Sequence, residues 1–288
     1  MSALHALIYL VKYLGAGVVA GSTSTAFGIG GAALSTPLLR VFGIPATLAV
    51  ATTLPSILPG AVVGWYGYRN AQIIDYRAVL RVVPGGLIGA IVGSALTPFV
   101  PGNGHLLMVA TAAIIGWLAV RMLRRGIFLQ RAGSHEGPGA ATSRSAQPGT
   151  TAPARPRISE RSREHEGLML VGAGLLAGLL SGLLGLGGGI VLVPAFIELL
   201  GFPLKRATAT SLVCIGCLAV PSTIVHAFIG DIDWTVALLL TAGTIPGARI
   251  GTRVALRAHE GRLQTAMGIV LTIVALVYGL TELLAASH

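Results

Sequence analysis

Two glycine clusters carry the chemistry that this sequence offers. Gly28-Ile29-Gly30-Gly31 and Gly185-Leu186-Gly187-Gly188-Gly189 each interrupt an apolar run, and each is followed by a short apolar stretch with a proline inside it, Pro37 or Pro194. Glycine in a helix costs about 1 kcal/mol relative to alanine, so a chain that had only to cross a bilayer would avoid these clusters. What they provide is a new helix N-terminus at membrane depth. Such an end exposes unpaired N–H groups and carries about half a positive charge, and glycine lets an anion approach the backbone. The candidate ligand groups are therefore Gly28, Gly30, Gly31, Gly185, Gly187, Gly188 and Gly189. The hydroxyls of Thr52, Thr53, Thr210 and Ser211 follow on the next helices. An oxyanion with several acceptor oxygens suits many weak donors and needs no fixed cation. The competing reading is that the glycines permit close helix packing and the hydroxyls bond back to their own helices.

Arg249 lies inside a later apolar run, where a cation is by default a candidate functional group. It is also close to the end of that run, beside Arg253, so snorkelling explains it equally well. His226 adjoins an acidic loop containing Asp231 and Asp233 and reads as an interfacial residue. Cys214-Ile-Gly-Cys217 spells C-x-x-C inside an apolar run, but one pair does not complete a tetrahedral zinc site. A redox role needs a soluble thioredoxin-like context, so packing is the better account. No HExxH or GxSxG motif and no acidic pair within the apolar runs is present. The chain is not expected to be an enzyme or to hold a cofactor or metal.

The elements that position these groups follow from composition. Of 288 residues, 53% are hydrophobic and only 10% charged, with mean hydropathy +0.80. Soluble domains carry about a quarter charged residues, so the lipid bilayer is a partner of this chain. The net charge of +10 does not indicate nucleic-acid binding, because the arginines flank apolar runs or fall in one polar segment. That segment, 123–167, is rich in Arg, Ser, Thr, Pro and Gly and cannot bury enough apolar area to offset its ordering entropy. It reads as a disordered basic linker between a first membrane repeat, 1–122, and a second, 168–288.

The halves align in order. GIGGAALSTP (28–37) matches GLGGGIVLVP (185–194), Gly43-Ile44-Pro45 matches Gly201-Phe202-Pro203, and Ala51-Thr52-Thr53-Leu54 matches Ala209-Thr210-Ser211-Leu212. Pro84-Gly85 with Gly89 is matched to Pro246-Gly247 with Gly251. Each half then holds five helical segments, the first two forming a Gly-broken hairpin with a half-length helix, and the expected fold is all-α, polytopic and built of two inverted repeats. Five is odd, so a linker with both ends on one side inverts the second half. This arrangement gathers Arg69, Arg77, Arg81, the linker, Lys205, Arg206, Arg253, Arg257 and Arg262 on one side, which the positive-inside rule makes cytoplasmic. Both termini and the Asp231/Asp233 loop fall outside; Lys12 and Arg40 are the exceptions. Inverted repeats with broken helices are an architecture of secondary transporters.

These residues resemble the TauE/SafE family, also called the sulfite exporter or 4-toluene sulfonate uptake permease family. The resemblance is carried by Gly182-Leu-Leu-Gly185-Leu-Gly187-Gly188-Gly189 with Pro194, by the copy Gly28-Ile-Gly30-Gly31 with Pro37, by Ala207 to Leu212, and by Pro246-Gly247-Ala248 with Gly251 and Arg253. It covers nearly the whole chain except the linker. It implies a multi-pass inner-membrane permease of about eight helices for a small sulfur-containing anion such as sulfite, a sulfonate or sulfoacetate. A coupling proton or cation is left open, as are direction and oligomeric state. The alternative class is a non-transporting, membrane-embedded interaction or assembly protein. Ala32 stands where the second copy has Gly189, which makes the two half-sites unequal.

Overall fold

A computed structural model describes residues 3–99, 105–134, 160–185 and 187–286. Among them the chain is helical and has no strand. The helices are α1 (Ala3–Phe27), α2 (Ala32–Val41), α3 (Ala46–Asn70), α4 (Tyr76–Leu96), α5 (His105–Ser134), α6 (Glu160–Leu184), α7 (Gly189–Leu199), α8 (Leu204–Ile229), α9 (Trp234–Arg257) and α10 (Glu260–Ala286), with a 3-10 turn at Thr97–Phe99. Among the described residues, six stretches are long and apolar enough to cross a membrane: Leu7–Phe27, Ala46–Asn70, Tyr76–Phe99, Gly167–Leu184, Leu204–Ile229 and Glu260–Val277. Their outer faces, and that of α9, carry exposed apolar side chains such as Val62, Leu80, Phe99 and Leu238, as a lipid solvent requires. Turns between helices use Gly43 and Gly201, both at positive φ, ahead of Pro45 and Pro203, which cap α3 and α8.

The described helices extend into the expected linker. Helix α5 continues to Ser134 and α6 begins at Glu160, so both flanks of the expected linker 123–167 are helical; Arg and Glu are good helix formers. The remaining linker residues, 135–159, and residues 100–104 lie outside the described residues. Each glycine break follows a 25-residue helix, α1 or α6, and precedes a short one, α2 or α7, of 10 and 11 residues, as the sequence leads one to expect.

Glycine contacts recur between the halves. A methyl group on Gly243, Gly247 or Gly251 of α9 would run into the carbonyl oxygen of Leu14, Val18 or Ser22 of α1. A methyl on Gly85, Gly89 or Gly93 of α4 would run into the carbonyl of Val171, Leu175 or Leu179 of α6. Both pairs pack parallel, at backbone separations that only glycine allows. These contacts correct the alignment of the halves: Gly85 corresponds to Gly243, Gly89 to Gly247 and Gly93 to Gly251. The match of Pro84-Gly85 to Pro246-Gly247 is off by one helical turn, because similar Pro-Gly pairs fall at different heights on the two helices.

The same correspondence appears at the helix starts. Asp75 caps α4 by accepting from the N–H groups of Arg77 and Ala78 at 3.0 and 3.1 Å, and Asp233 caps α9 by accepting from Thr235 and Val236 at 3.0 and 3.1 Å. The Asp75 N–H donates to Thr210 Oγ1 at 3.1 Å, and the Asp233 N–H donates to Thr52 Oγ1 at 3.0 Å. Arg206 Nη2 adds an ion pair to Asp75 Oδ2 at 2.6 Å and stacks on Phe202. Lys205 Nζ donates to the Leu256 carbonyl near the end of α9 at 2.9 Å.

This packing generates two expected outcomes. Gly247→Leu is expected to destabilise the folded protein by about 1–3 kcal/mol or more through overpacking, read as a lowered unfolding temperature in detergent. Gly172→Leu, which meets open space, should not. Burial alone would raise the Asp75 carboxyl, but the Ala78 N–H, Arg206 and the Arg77 N–H hold it below the ordinary carboxylate range. Its contribution is therefore full above the unfolded value of about 3.9 and is lost as pH falls through the folded value. Asp75→Asn should flatten that acid limb of the stability profile.

Candidate functional site

The two glycine breaks meet. Positive φ at Gly28 and Gly30, and at Gly185, Gly187 and Gly188, turns the chain sharply at the ends of α1 and α6. A methyl group on Gly187 would lie 3.2 Å from Gly30 Cα, 3.3 Å from Ile215 and 3.6 Å from Ile57. Ile57 and Ile215 are each near the middle of a long helix, α3 or α8, so the breaks meet about halfway along them. A methyl on Gly189 would run into the Gly28 carbonyl oxygen and come within 2.7 Å of the Ile29 carbonyl carbon. One break thus packs backbone to backbone on the other, and all seven candidate glycines are buried.

Helices α2 and α7 begin at this junction, with Gly31 and Gly188 as N-caps and no side-chain cap on either. In the first turns, the N–H groups of Ala33, Leu34 and Val191 donate to the Gly30, Gly31 and Gly188 carbonyls at 3.3, 3.1 and 3.1 Å, which leaves the N–H groups of the very first residues as the donors a helix start offers. Gly188 is held at φ +69°, which disfavours any side chain. Gly31 is different: its φ is −61°, and a methyl there would make only an ordinary 3.5 Å contact with the Ala20 carbonyl. Neither conformation nor packing requires glycine at this N-cap.

The structure divides the candidate hydroxyls. Ser211 Oγ donates to the Gly28 carbonyl at 2.5 Å and so belongs to the junction. Thr53 Oγ1 donates to Val50 O at 2.9 Å and lies 3.2 Å from Thr36 Oγ1 of α2, close behind the first break. Thr52 and Thr210 are buried but accept from the backbone N–H groups of Asp233 and Asp75 at the starts of α9 and α4. Arg249 is exposed on α9, so it is not enclosed with the glycines. Cys214 is buried and Cys217 half-buried, and both are free thiols.

Sequence reasoning missed three polar groups here. Thr36 pairs with Thr53, Ser35 Oγ donates to Gly31 O at 3.0 Å, and Thr208 Oγ1 donates to Phe27 O at 3.4 Å. Thr36 was visible in the alignment of the halves, where the second copy has Val193. The two halves therefore differ twice: a hydroxyl pair flanks the first break alone, and Gly189 of the second is replaced by Ala32 in the first. The Gly189 contact with Gly28 explains the second difference, since only that position must admit the opposing backbone.

A family model described as "Sulfite exporter TauE/SafE" matches residues 13–278. Similar curated proteins include a "Probable membrane transporter protein" of Xylella fastidiosa (strain 9a5c), 26% identical over 93% of this chain and 94% of that protein. "Probable membrane transporter protein YunE" of Bacillus subtilis (strain 168) is 23% identical over 90% of this chain and 93% of its own length. "Probable membrane transporter protein MJ0441" of Methanocaldococcus jannaschii is 24% identical over 94% and 95%. No solved structure matches.

The inequality of the halves gives a direct stability comparison. Gly189→Ala is expected to lower stability by about 1–3 kcal/mol, the usual cost of overpacking. Ala32→Gly should cost no more than about 1 kcal/mol. Unfolding temperatures of the two purified variants in one detergent check the order.

Proposed function

The chain belongs to the sulfite exporter TauE/SafE family and is a membrane transporter of that type, and from this and the junction we propose that it carries a small sulfur-containing oxyanion held between the N-termini of α2 and α7. The observation that carries the reading is the meeting of two helix starts without side-chain caps, midway along α3 and α8. Each start contributes about half a positive charge and the N–H donors not already bonded to the Gly30, Gly31 and Gly188 carbonyls. Sulfite, sulfonate and sulfoacetate share several acceptor oxygens around sulfur, which suits convergent N–H donors; the Ser211 and Thr53 hydroxyls must give up their bonds to the Gly28 and Val50 carbonyls to join them. The residues named at the junction are uncharged, so the anion meets no ion pair that would trap it, and it can leave as well as enter.

Because the breaks pack backbone on backbone, the arrangement is closed to an anion, and passage requires the two to separate. The half-length helices α2 and α7 are the elements that move least surface in doing so. Parallel packing of α1 with α9 and of α4 with α6 supports an inverted arrangement: with the same orientation in both halves, each of these pairs would run antiparallel. In the inverted scheme the linker, Arg69, Lys205, Arg206 and Arg257 face the cytoplasm and both termini face outward, in the inner membrane. The stacking of Arg69 on Trp65 at 5.2 Å, with the Trp65 indole N–H donating to Tyr76 at 3.1 Å, suits a basic membrane interface.

The test is uptake of radiolabelled sulfite and sulfoacetate into proteoliposomes. Wild type is expected to accumulate at least one of them above protein-free vesicles. Gly31→Val, which places a branched side chain where an anion would approach the backbone, is expected to cut that flux by about tenfold or more with little loss of thermal stability. No flux of any sulfur oxyanion by the wild type would defeat the substrate reading. Full flux in Gly31→Val would remove the anion from the α2 start. Separately, Ser145→Cys in a chain lacking Cys214 and Cys217 should label from the cytoplasmic side of inner-membrane vesicles and not from the outside.

A further inference from the structure

We propose that His226, with Asp231, forms a proton-binding site that fixes the end of α6 ahead of its glycine break. The site itself stands on geometry alone; its role in coupling transport to a proton rests on the proposed transport of an oxyanion.

His226 is on α8 and fully buried, at 0% exposure. Its Nδ1 lies 3.0 Å from Asp231 Oδ2 and 3.1 Å from Oδ1, and its Nε2 lies 3.4 Å from the Gly182 carbonyl oxygen of α6. Both ring nitrogens therefore face acceptors only. A neutral imidazole has one N–H donor and one lone pair, whereas the imidazolium donates from both nitrogens. The protonated ring satisfies both contacts at once. Loss of the proton leaves a lone pair facing either the Asp231 carboxylate or the Gly182 carbonyl, in a buried place where an unmet polar contact is costly.

The Gly182 carbonyl is in the last turn of α6, immediately before the break at Gly185. Thr97 Oγ1 also lies 3.4 Å from this carbonyl, although it is nearer the Gly93 carbonyl at 3.2 Å, so His226 is one of two side chains that hold the approach to the junction. The first half answers the same need differently. There Tyr68 of α3 is buried, and its hydroxyl donates to the Thr25 carbonyl at 2.6 Å, in the last turn of α1 before Gly28. Tyr68 and His226 are corresponding positions on corresponding helices. One half holds its break with a phenol, the other with the side chain whose charge changes nearest neutral pH.

The surroundings supply a path and a second state. The Asp231 side chain is 22% exposed, so a proton from solvent reaches His226 through it. Asp231 is the charged group facing the ring. Asp233, two residues on, is committed to the cap of α9. The parts of α4 and α6 packed here, 94–97 and 181–184, carry no titratable side chain, nor do residues 46–56 of α3. Ser94 Oγ lies against Gly182, and Ser94, Ser181 and Ser222 are buried hydroxyls without a hydrogen-bond partner. Ser222 is one turn from His226 on α8. Ser94 is thus a spare donor packed on Gly182, the residue whose carbonyl a neutral imidazole would release.

Hydrogen exchange of the intact protein in nanodiscs tests this. After correction for intrinsic rate, amides of 183–188 in the wild type are expected to exchange about tenfold faster at about pH 9 than at about pH 5, in a single titration step. Amides of 26–31, behind Tyr68, should show no step. His226→Gln and His226→Tyr, the latter copying the first half, are each expected to abolish the step. Absence of the step in the wild type, or its survival in either variant, overturns the proton site. Proteoliposome uptake of sulfite with and without an imposed pH gradient tests the coupling. Dependence on the gradient in the wild type and its loss in His226→Gln supports coupling, and gradient-independent flux overturns it. If the wild type moves no sulfite, the transport reading fails, and the exchange step still decides the proton site.

Discussion

The contact on which the rest depends is Gly189 against the Gly28 carbonyl. It is a contact between backbones, at a separation that no side chain permits. It brings the ends of α1 and α6 together, and by doing so it directs the starts of α2 and α7 into one buried region between α3 and α8. Irregular backbone at membrane depth persists only where protein buries it or where it borders a cavity. Here each break buries the other. Neither half could hold this geometry alone, which is why the glycine pattern occurs twice in one chain.

The long helices serve that junction. Parallel pairs α1/α9 and α4/α6 are locked by rows of glycine facing carbonyl oxygens, leaving α1 and α6 little freedom to slide. The caps Asp75 and Asp233 then tie each loop to a hydroxyl of the helix from the other half, Thr210 or Thr52. Close-packed pairs of long helices, with short and mostly buried helices beside the breaks, suit a secondary transporter built on broken helices. What distinguishes the halves is local: Ala32 for Gly189, Thr36 for Val193, Tyr68 for His226. An asymmetric anion and an asymmetric path are compatible with a frame that repeats.

Much of this was legible in the chain. The glycine clusters, the half-length helices after them and the recurrence of Thr-rich starts to α3 and α8 all follow from residue type and order. The errors have physical causes. Pro84-Gly85 and Pro246-Gly247 look equivalent as text, but helix packing repeats every turn, and only the opposing carbonyls reveal which glycine matches which. Thr52 and Thr210 carry the right chemistry for an anion, yet one-dimensional spacing does not say that each also accepts from a loop N–H of the other half. Arg249 reads as an intramembrane cation until its helix face is known. His226 reads as interfacial because its sequence neighbours are acidic, whereas its Nε2 contact comes from a helix 44 residues away. The helical extent of α5 and α6 was hidden by composition, since Arg, Glu and Ser mark both linkers and solvated helix ends.

The central claim is that the anion binds where the two breaks meet. Selenite has the shape and charge of sulfite, and its selenium scatters anomalously, so crystals of the protein grown with selenite locate the site directly. The account predicts an anomalous peak between the starts of α2 and α7, within hydrogen-bond reach of backbone N–H groups from both. A peak at the arginines of the loops, with none at the junction in crystals of a transport-active protein, would contradict it.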